Sequence, residues 1–168
     1  MLIFLTGMMG SGKSTIGKLL AEELQLPFFD TDNIIASIEG VEVKDIFSFK
    51  GEPYFRQSEY DLISSWKISS AVVATGGGLP CHHHLLEILN KMGKTVYLKA
   101  SIDEITQRLS QDQTRPLVKG KSIPQIKKTI GELAKIRKPY YEQAGIKIKS
   151  AGTPEEIVKK ILVKLYSK

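Results

Sequence analysis

The chain has 168 residues, with 24 Lys and Arg against 18 Asp and Glu, a formal charge of +6. With 42% hydrophobic and 25% charged residues, it has the composition of one globular domain with its own core, which excludes a disordered or fibrous chain. The basic residues are dispersed, with no block of five or more, so the excess charge suits small anionic ligands and gives no footing for a nucleic-acid partner. The single cysteine, Cys81, rules out an internal disulfide. No apolar window has the length of a membrane span, and no basic region precedes the apolar start. A cytoplasmic protein without membrane association is therefore expected. A monomer is expected as well.

The first element is a short buried strand, "LIFL" (Leu2–Leu5). It runs into "GMMGSGKS" (7–14), which satisfies G-x-x-x-x-G-K-[ST] at every fixed position. Beyond it, Ile16, Leu19, Leu20 and Leu24 repeat at helical spacing, so a helix is expected over about 13–25. A glycine loop between a strand and a helix N-terminus turns backbone N–H groups and the helix dipole toward an anion. The segment Gly10, Ser11, Gly12, Lys13, Ser14 and Thr15 is therefore expected to bind a nucleoside triphosphate, with Lys13 on the β/γ-phosphates and the Ser14 hydroxyl on Mg2+.

A second strand ends in "FFDTD", placing Asp30 and Asp32 at its carboxyl end, where open α/β sheets bind ligands. One carboxylate can hold Mg2+ through water while the other meets an acceptor hydroxyl; alternatively Asp32 only caps a helix. Helices are expected near 32–38, 43–49 and 54–67, then a strand "AVVAT" (Ala71–Thr75) ending in Gly76, Gly77 and Gly78. "CHHH" (Cys81–His84) reads as the start of a helix over 82–91, since adjacent side chains on one segment do not converge on one ion. The strand "TVYLKA" (95–100) and a helix at 102–109 capped by Ser101 follow. The polar stretch 110–122 reads as an exposed loop. A helix at 124–142, a strand "IKIK" (Ile146–Lys149) and a helix at 154–166 capped by Thr153 close the chain. Alternating strands and helices imply an α/β domain with a parallel sheet covered on both faces. A GTPase would need Asn-Lys-x-Asp, and the nearest stretch, Asn90–Gly93, lacks the aspartate.

"GMMGSGKST", "FFDTD", "IFSFKGEPYFRQSE", "VVATGGGL", "TRPLV" and "IRKPYY", in that order, closely resemble shikimate kinase along nearly the whole chain. The resemblance implies a single P-loop kinase domain (1–168) with a five-stranded parallel sheet of order 2-3-1-4-5. It implies a shikimate-binding region at 31–60, a mobile lid at 110–123, and γ-phosphoryl transfer from ATP to the 3-hydroxyl of shikimate, with Mg2+. By the same resemblance Asp30 serves the metal through water. Asp32 meets the reacting hydroxyl as base or orienter, and Arg56 and Arg137 hold the acceptor carboxylate. Gly76, Gly77 and Gly78 let backbone approach the ring. Arg115 closes over the phosphates, and Arg108 stacks on adenine beside the loop Ala151–Pro154. Phe47 and Phe55 flank the pocket. Catalysis then falls to Lys13, Asp32 and Arg115.

The residues alone leave blander readings open. Arg56 could pair with Glu59 across one helical turn, Arg137 could lie on a solvated face, and the three glycines could be a tight turn. A gluconate-type kinase and a P-loop binding protein without turnover are the alternative functions.

Overall fold

The computed structural model describes residues 1–112 and 117–167. Five parallel strands, β1 (Leu2–Thr6), β2 (Phe28–Asp30), β3 (Ala71–Ala74), β4 (Lys94–Lys99) and β5 (Ile146–Lys149), form one sheet in the order β2-β3-β1-β4-β5. That is the expected order. β1 lies at the centre because it is apolar on both faces and fully buried. Ile3 and Leu5 pack on one side with Ile16 and Leu20 of α1 (Lys13–Leu24) and Ile157 and Ile161 of α7 (Pro154–Tyr166). Leu2 and Phe4 point to the other side, against Leu85 and Leu89 of α4 (Leu85–Met92) and Ile63 of α3 (Val43–Ser64).

On that second side a further cluster joins Tyr97 to Ile105 and Leu109 of α5 (Ile102–Gln111) and to Ile126, Ile130 and Tyr141 of α6 (Ile123–Tyr141). A small outlying cluster of Ile35, Ile46 and Phe55 holds α2 (Thr31–Glu39) to α3. Register aligns the carboxyl ends of the strands: Leu5 pairs with Ala74, Thr6 with Tyr97, and Asp30 with Ala74. The loops leaving β1, β2 and β3 therefore open at one level of the sheet. β1 runs between β3 and β4, so the chain's direction of winding reverses there, which is where such sheets leave a crevice.

Several boundaries differ from the sequence reading. Asp32 is not the cap of α2. Asp30 is: its Oδ1 accepts the Asp32 N–H at 3.1 Å, placing Asp32 inside the first turn. The helices expected at 43–49 and 54–67 are two arms of α3, broken at Gly51, whose φ of 83° no other residue adopts cheaply. The helix expected over 82–91 starts only at Leu85. Pro80 sits in a 3-10 turn (Leu79–Cys81), and His83 and His84 adopt left-handed backbone, φ 49° and 55°. The stretch 110–122 is not wholly exposed. Ser110 and Gln111 belong to α5, and Val118 is fully buried among Met8, Leu109 and Ile126. Caps at Ser101 and Thr153 are found as expected, each a reciprocal box with a glutamate three residues on. Among the described residues no helix is long and apolar enough to cross a membrane.

Candidate active site

The loop leaving β1 starts the site. Gly12, with φ 94°, turns the chain left-handed into α1 with no side-chain cap, so the first N–H groups of the helix face the loop's concavity. Lys13 is buried and folds back over the loop, its Nζ donating to the carbonyls of Gly7 (2.8 Å) and Met8 (2.9 Å). Ser14 Oγ donates to Asp30 Oδ2 at 2.8 Å. Asp30 thus spends one oxygen on Ser14 and the other on capping α2. A hydroxyl and a carboxylate oxygen this close, beside a phosphate-binding loop, form a hard-oxygen pair that could hold a divalent cation. Arg108 reaches in from α5 and donates from Nη1 to the Gly10 carbonyl at 2.9 Å, so in this structure it is docked on the phosphate loop. The stretch Ala151–Pro154 lies beside it: Ser150 Oγ donates to the Ser11 carbonyl at 2.8 Å.

A second group of residues is built around the glycine turn after β3. Thr31 Oγ1 accepts the Gly76 N–H at 2.8 Å, tying the start of α2 to the turn. Two of the three glycines are required by what faces them. A Cβ on Gly76 would overlap the Asp32 carboxylate and stand 2.8 Å from Glu59 Oε1, and one on Gly78 would stand 2.5 Å from Arg56 Nη2. A Cβ on Gly77 would lie 3.5 Å from Arg137 Nη1. The turn therefore gathers Asp32, Arg56, Glu59 and Arg137, contributed by α2, α3 and α6, into one pocket beside the phosphate loop.

Arg56 realises the pairing that sequence left open, and adds a second partner. It is 7% exposed, with Nη1 donating to Glu59 Oε2 at 2.7 Å and Nε and Nη2 both donating to Glu52 Oε1, at 3.1 and 2.7 Å. The pairing does not exhaust it, since a guanidinium carries five N–H groups and three are used here. The guanidinium also lies 5.8 Å from the Phe47 ring centroid and 5.6 Å from that of Phe55, so both phenylalanines do flank it. Burial pushes the Glu59 carboxyl up to about 7, against the pull of Arg56, with Asp32 adding to the rise. His82, just after the 3-10 turn, is lowered by burial and by the positive Arg56. Burial likewise lifts the Cys81 thiol to about 11, which keeps it protonated.

Arg115, the remaining sequence candidate, lies outside the described residues. Glu52, Thr31 and Tyr141 were not singled out in sequence. The signal for Glu52 was present: glutamates four before and three after Arg56 lie on its helix face. Trp66 is a rim residue, edge-on to Phe29 at 5.6 Å. Among the described residues no three His, Cys, Asp or Glu side chains converge as a metal set. His83 instead faces the Tyr60 ring and His84 pairs with Glu87.

A glycine loop on the central strand of a 2-3-1-4-5 sheet, with its lysine and serine placed as above, defines a P-loop kinase architecture. The sequence matches the family model for shikimate kinase over residues 9–166. It is 43% identical to a shikimate kinase of Sulfurihydrogenibium over 97% of this chain and 96% of that one. The crystal structure of shikimate kinase from Bacteroides thetaiotaomicron superposes with a TM-score of 0.89 at 32% identity, covering 99% of this chain and 98% of that chain. The shikimate kinase of Acinetobacter baumannii, solved in complex with shikimate, gives 0.86 at 34% identity, covering 98% and 92%. The chain belongs to the shikimate kinase family, and so to the ATP-dependent phosphotransferases.

Proposed function

We propose that this protein, as a single kinase domain, transfers the γ-phosphoryl group of MgATP to the 3-hydroxyl of shikimate, giving shikimate 3-phosphate and ADP. The observation that carries this reading is the pocket at the glycine turn: two arginines and an aspartate converge within reach of the loop that carries Lys13 and Ser14. Arg56 and Arg137 fit a compact carboxylate, because planar guanidinium groups present paired donors. Asp32 faces the ring hydroxyl and orients it or takes its proton as the oxygen bonds to phosphorus. The bond from phosphorus to the ADP oxygen breaks in the same displacement.

Lys13 leaves the carbonyls of Gly7 and Met8 for the β/γ-phosphates, where its charge counters what develops on the moving group. Ser14 and, through water, Asp30 would hold Mg2+, which when bound would offset the negative charge of the phosphates. Gly10, Ser11, Gly12 and Thr15 bind the phosphates with Lys13 and Ser14. Arg108 closes the nucleotide site from α5. Arg115 meets the phosphates from the segment at 110–123, a role that rests on sequence resemblance. The reaction needs water kept out, or ATP is hydrolysed without an acceptor.

An ADP-release assay against shikimate, quinate, gluconate and nucleoside monophosphates tests the assignment. Shikimate should give the highest kcat/KM, with the nucleotides at background. A nucleotide or gluconate outperforming shikimate would overturn it.

A further inference from the structure

Tyr141 ends α6 with its side chain wholly buried. Its ring stacks at a tilt on Tyr97, centroids 5.1 Å apart, which by itself would make it a core residue. Its hydroxyl does something more specific. It donates to the carbonyl of Gly77 at 2.5 Å and lies 3.7 Å from Met8 Sδ. Arg137 lies one turn back on the same helix. A phenol has one proton, and the shorter contact gives it to the Gly77 carbonyl.

Gly77 is also the point where the two halves of the site touch. A Cβ there would lie 3.3 Å from the Met9 nitrogen and 3.7 Å from the Gly7 oxygen, both in the phosphate loop, and 3.5 Å from Arg137 Nη1. One hydroxyl therefore ties down the acceptor turn at the point where it meets Arg137 and the flank of the phosphate loop. A buried hydrogen bond of this kind has no water to replace it when lost.

We propose that Tyr141 is a positioning residue that couples the two substrate sites. With its hydroxyl in place, the Gly77 peptide is fixed between Arg137 and the phosphate loop, so that ordering the loop around a nucleotide also orders the acceptor pocket. Coupling of this kind is reciprocal: nucleotide tightens shikimate and shikimate tightens nucleotide by one factor. The inference rests on the acceptor assignment made above.

The test is calorimetric titration of shikimate with and without Mg2+ and a non-hydrolysable ATP analogue. The ratio of the two dissociation constants should be about fivefold or more in the wild type and near one in Tyr141→Phe. That variant keeps the ring, the stacking on Tyr97 and the volume. Tyr97→Phe, a change of the same size in the same cluster, should keep the wild-type ratio. Met8→Leu, which removes the sulfur facing the hydroxyl, should lower the ratio and carries the test if Tyr141→Phe does not fold. A ratio of one in the wild type, or an unchanged ratio in whichever of the two variants folds, overturns the coupling. Equal loss in Tyr97→Phe reduces Tyr141 to packing and overturns it too. Absence of any shikimate binding by the folded wild type overturns the acceptor assignment itself, a separate result.

Discussion

Replacing Glu59 by Gln removes one charge from the buried pair that holds Arg56. Glu59 is 0% exposed, and its carboxyl is lifted to about 7 chiefly by burial, so near neutral pH it changes charge. With Glu59 ionised, Arg56 and Arg137 are opposed by Asp32, Glu52 and Glu59. With Glu59 neutral, that opposition falls by one charge. An acceptor carboxylate on the far side of Arg56 would stand roughly 7 Å from Glu59. At an effective dielectric of about 20 a unit charge there is worth ~2 kcal/mol before screening by the arginine between them. Shikimate should thus bind about tenfold more weakly at pH 8 than at pH 6. Glu59→Gln keeps an acceptor for Arg56 Nη1, and Glu52 keeps its two bonds to Nε and Nη2, so the guanidinium stays oriented.

The variant should bind shikimate at pH 8 nearly as well as the wild type does at pH 6, with a much flatter profile between. His82 titrates in the same direction, because its protonation also adds positive charge beside Arg56. His82→Asn should therefore leave most of the wild-type slope. Stability follows the same carboxyl. A folded-state value above the ordinary 4.5 means the native state binds the extra proton between pH 4.5 and 7, so stability falls as pH rises through that window. The loss is at most about 3 kcal/mol, and Glu59→Gln should remove it. The assay is shikimate dissociation by calorimetry from pH 6 to 8, with melting curves from pH 4.5 to 7. A slope in Glu59→Gln equal to that of the wild type would refute the reasoning.

Asp32→Asn should lower kcat by ~10²–10⁴-fold with MgATP affinity nearly unchanged, checked by ADP release and nucleotide titration; near-normal turnover removes Asp32 from the chemistry. Gly78→Ala places a methyl 2.5 Å from Arg56 Nη2, so shikimate KM should rise by about tenfold or more while ATP KM holds, and equal changes in both would point to misfolding. Arg115→Ala should lower kcat by roughly 10²-fold with little change in shikimate dissociation; a loss confined to shikimate affinity would assign Arg115 to ground-state binding.

The sheet and the phosphate loop were legible because their signals are local. A strand is a run of apolar residues, and the loop is glycines at fixed spacing before a lysine. The pocket was legible only through motif resemblance, because Arg56, Gly78 and Arg137 meet through tertiary packing that no window of sequence contains. Glu59 illustrates the limit. Its spacing from Arg56 suggested a pair across one helical turn. Only the fold shows that the pair is buried against Gly76 and Gly78, where its charge acts on the site.

Asp30 and Asp32 were separable only once the turn between them was seen. Alternation in an extended strand would place both carboxylates on one side. The chain instead enters α2 at Thr31, and Asp30 takes the cap and the bond to Ser14 while Asp32 turns to the glycines. The division of labour follows from that half-turn of helix. Asp30 stays near the loop serine because capping pins it there, a bond worth ~1 kcal/mol that an alanine would forfeit along with the bond to Ser14. Asp32, which does not cap the helix, turns its carboxylate to the glycine turn. A change at Asp32 therefore acts on the pocket at that turn without disturbing the helix start, whereas a change at Asp30 disturbs both the helix start and the serine of the phosphate loop.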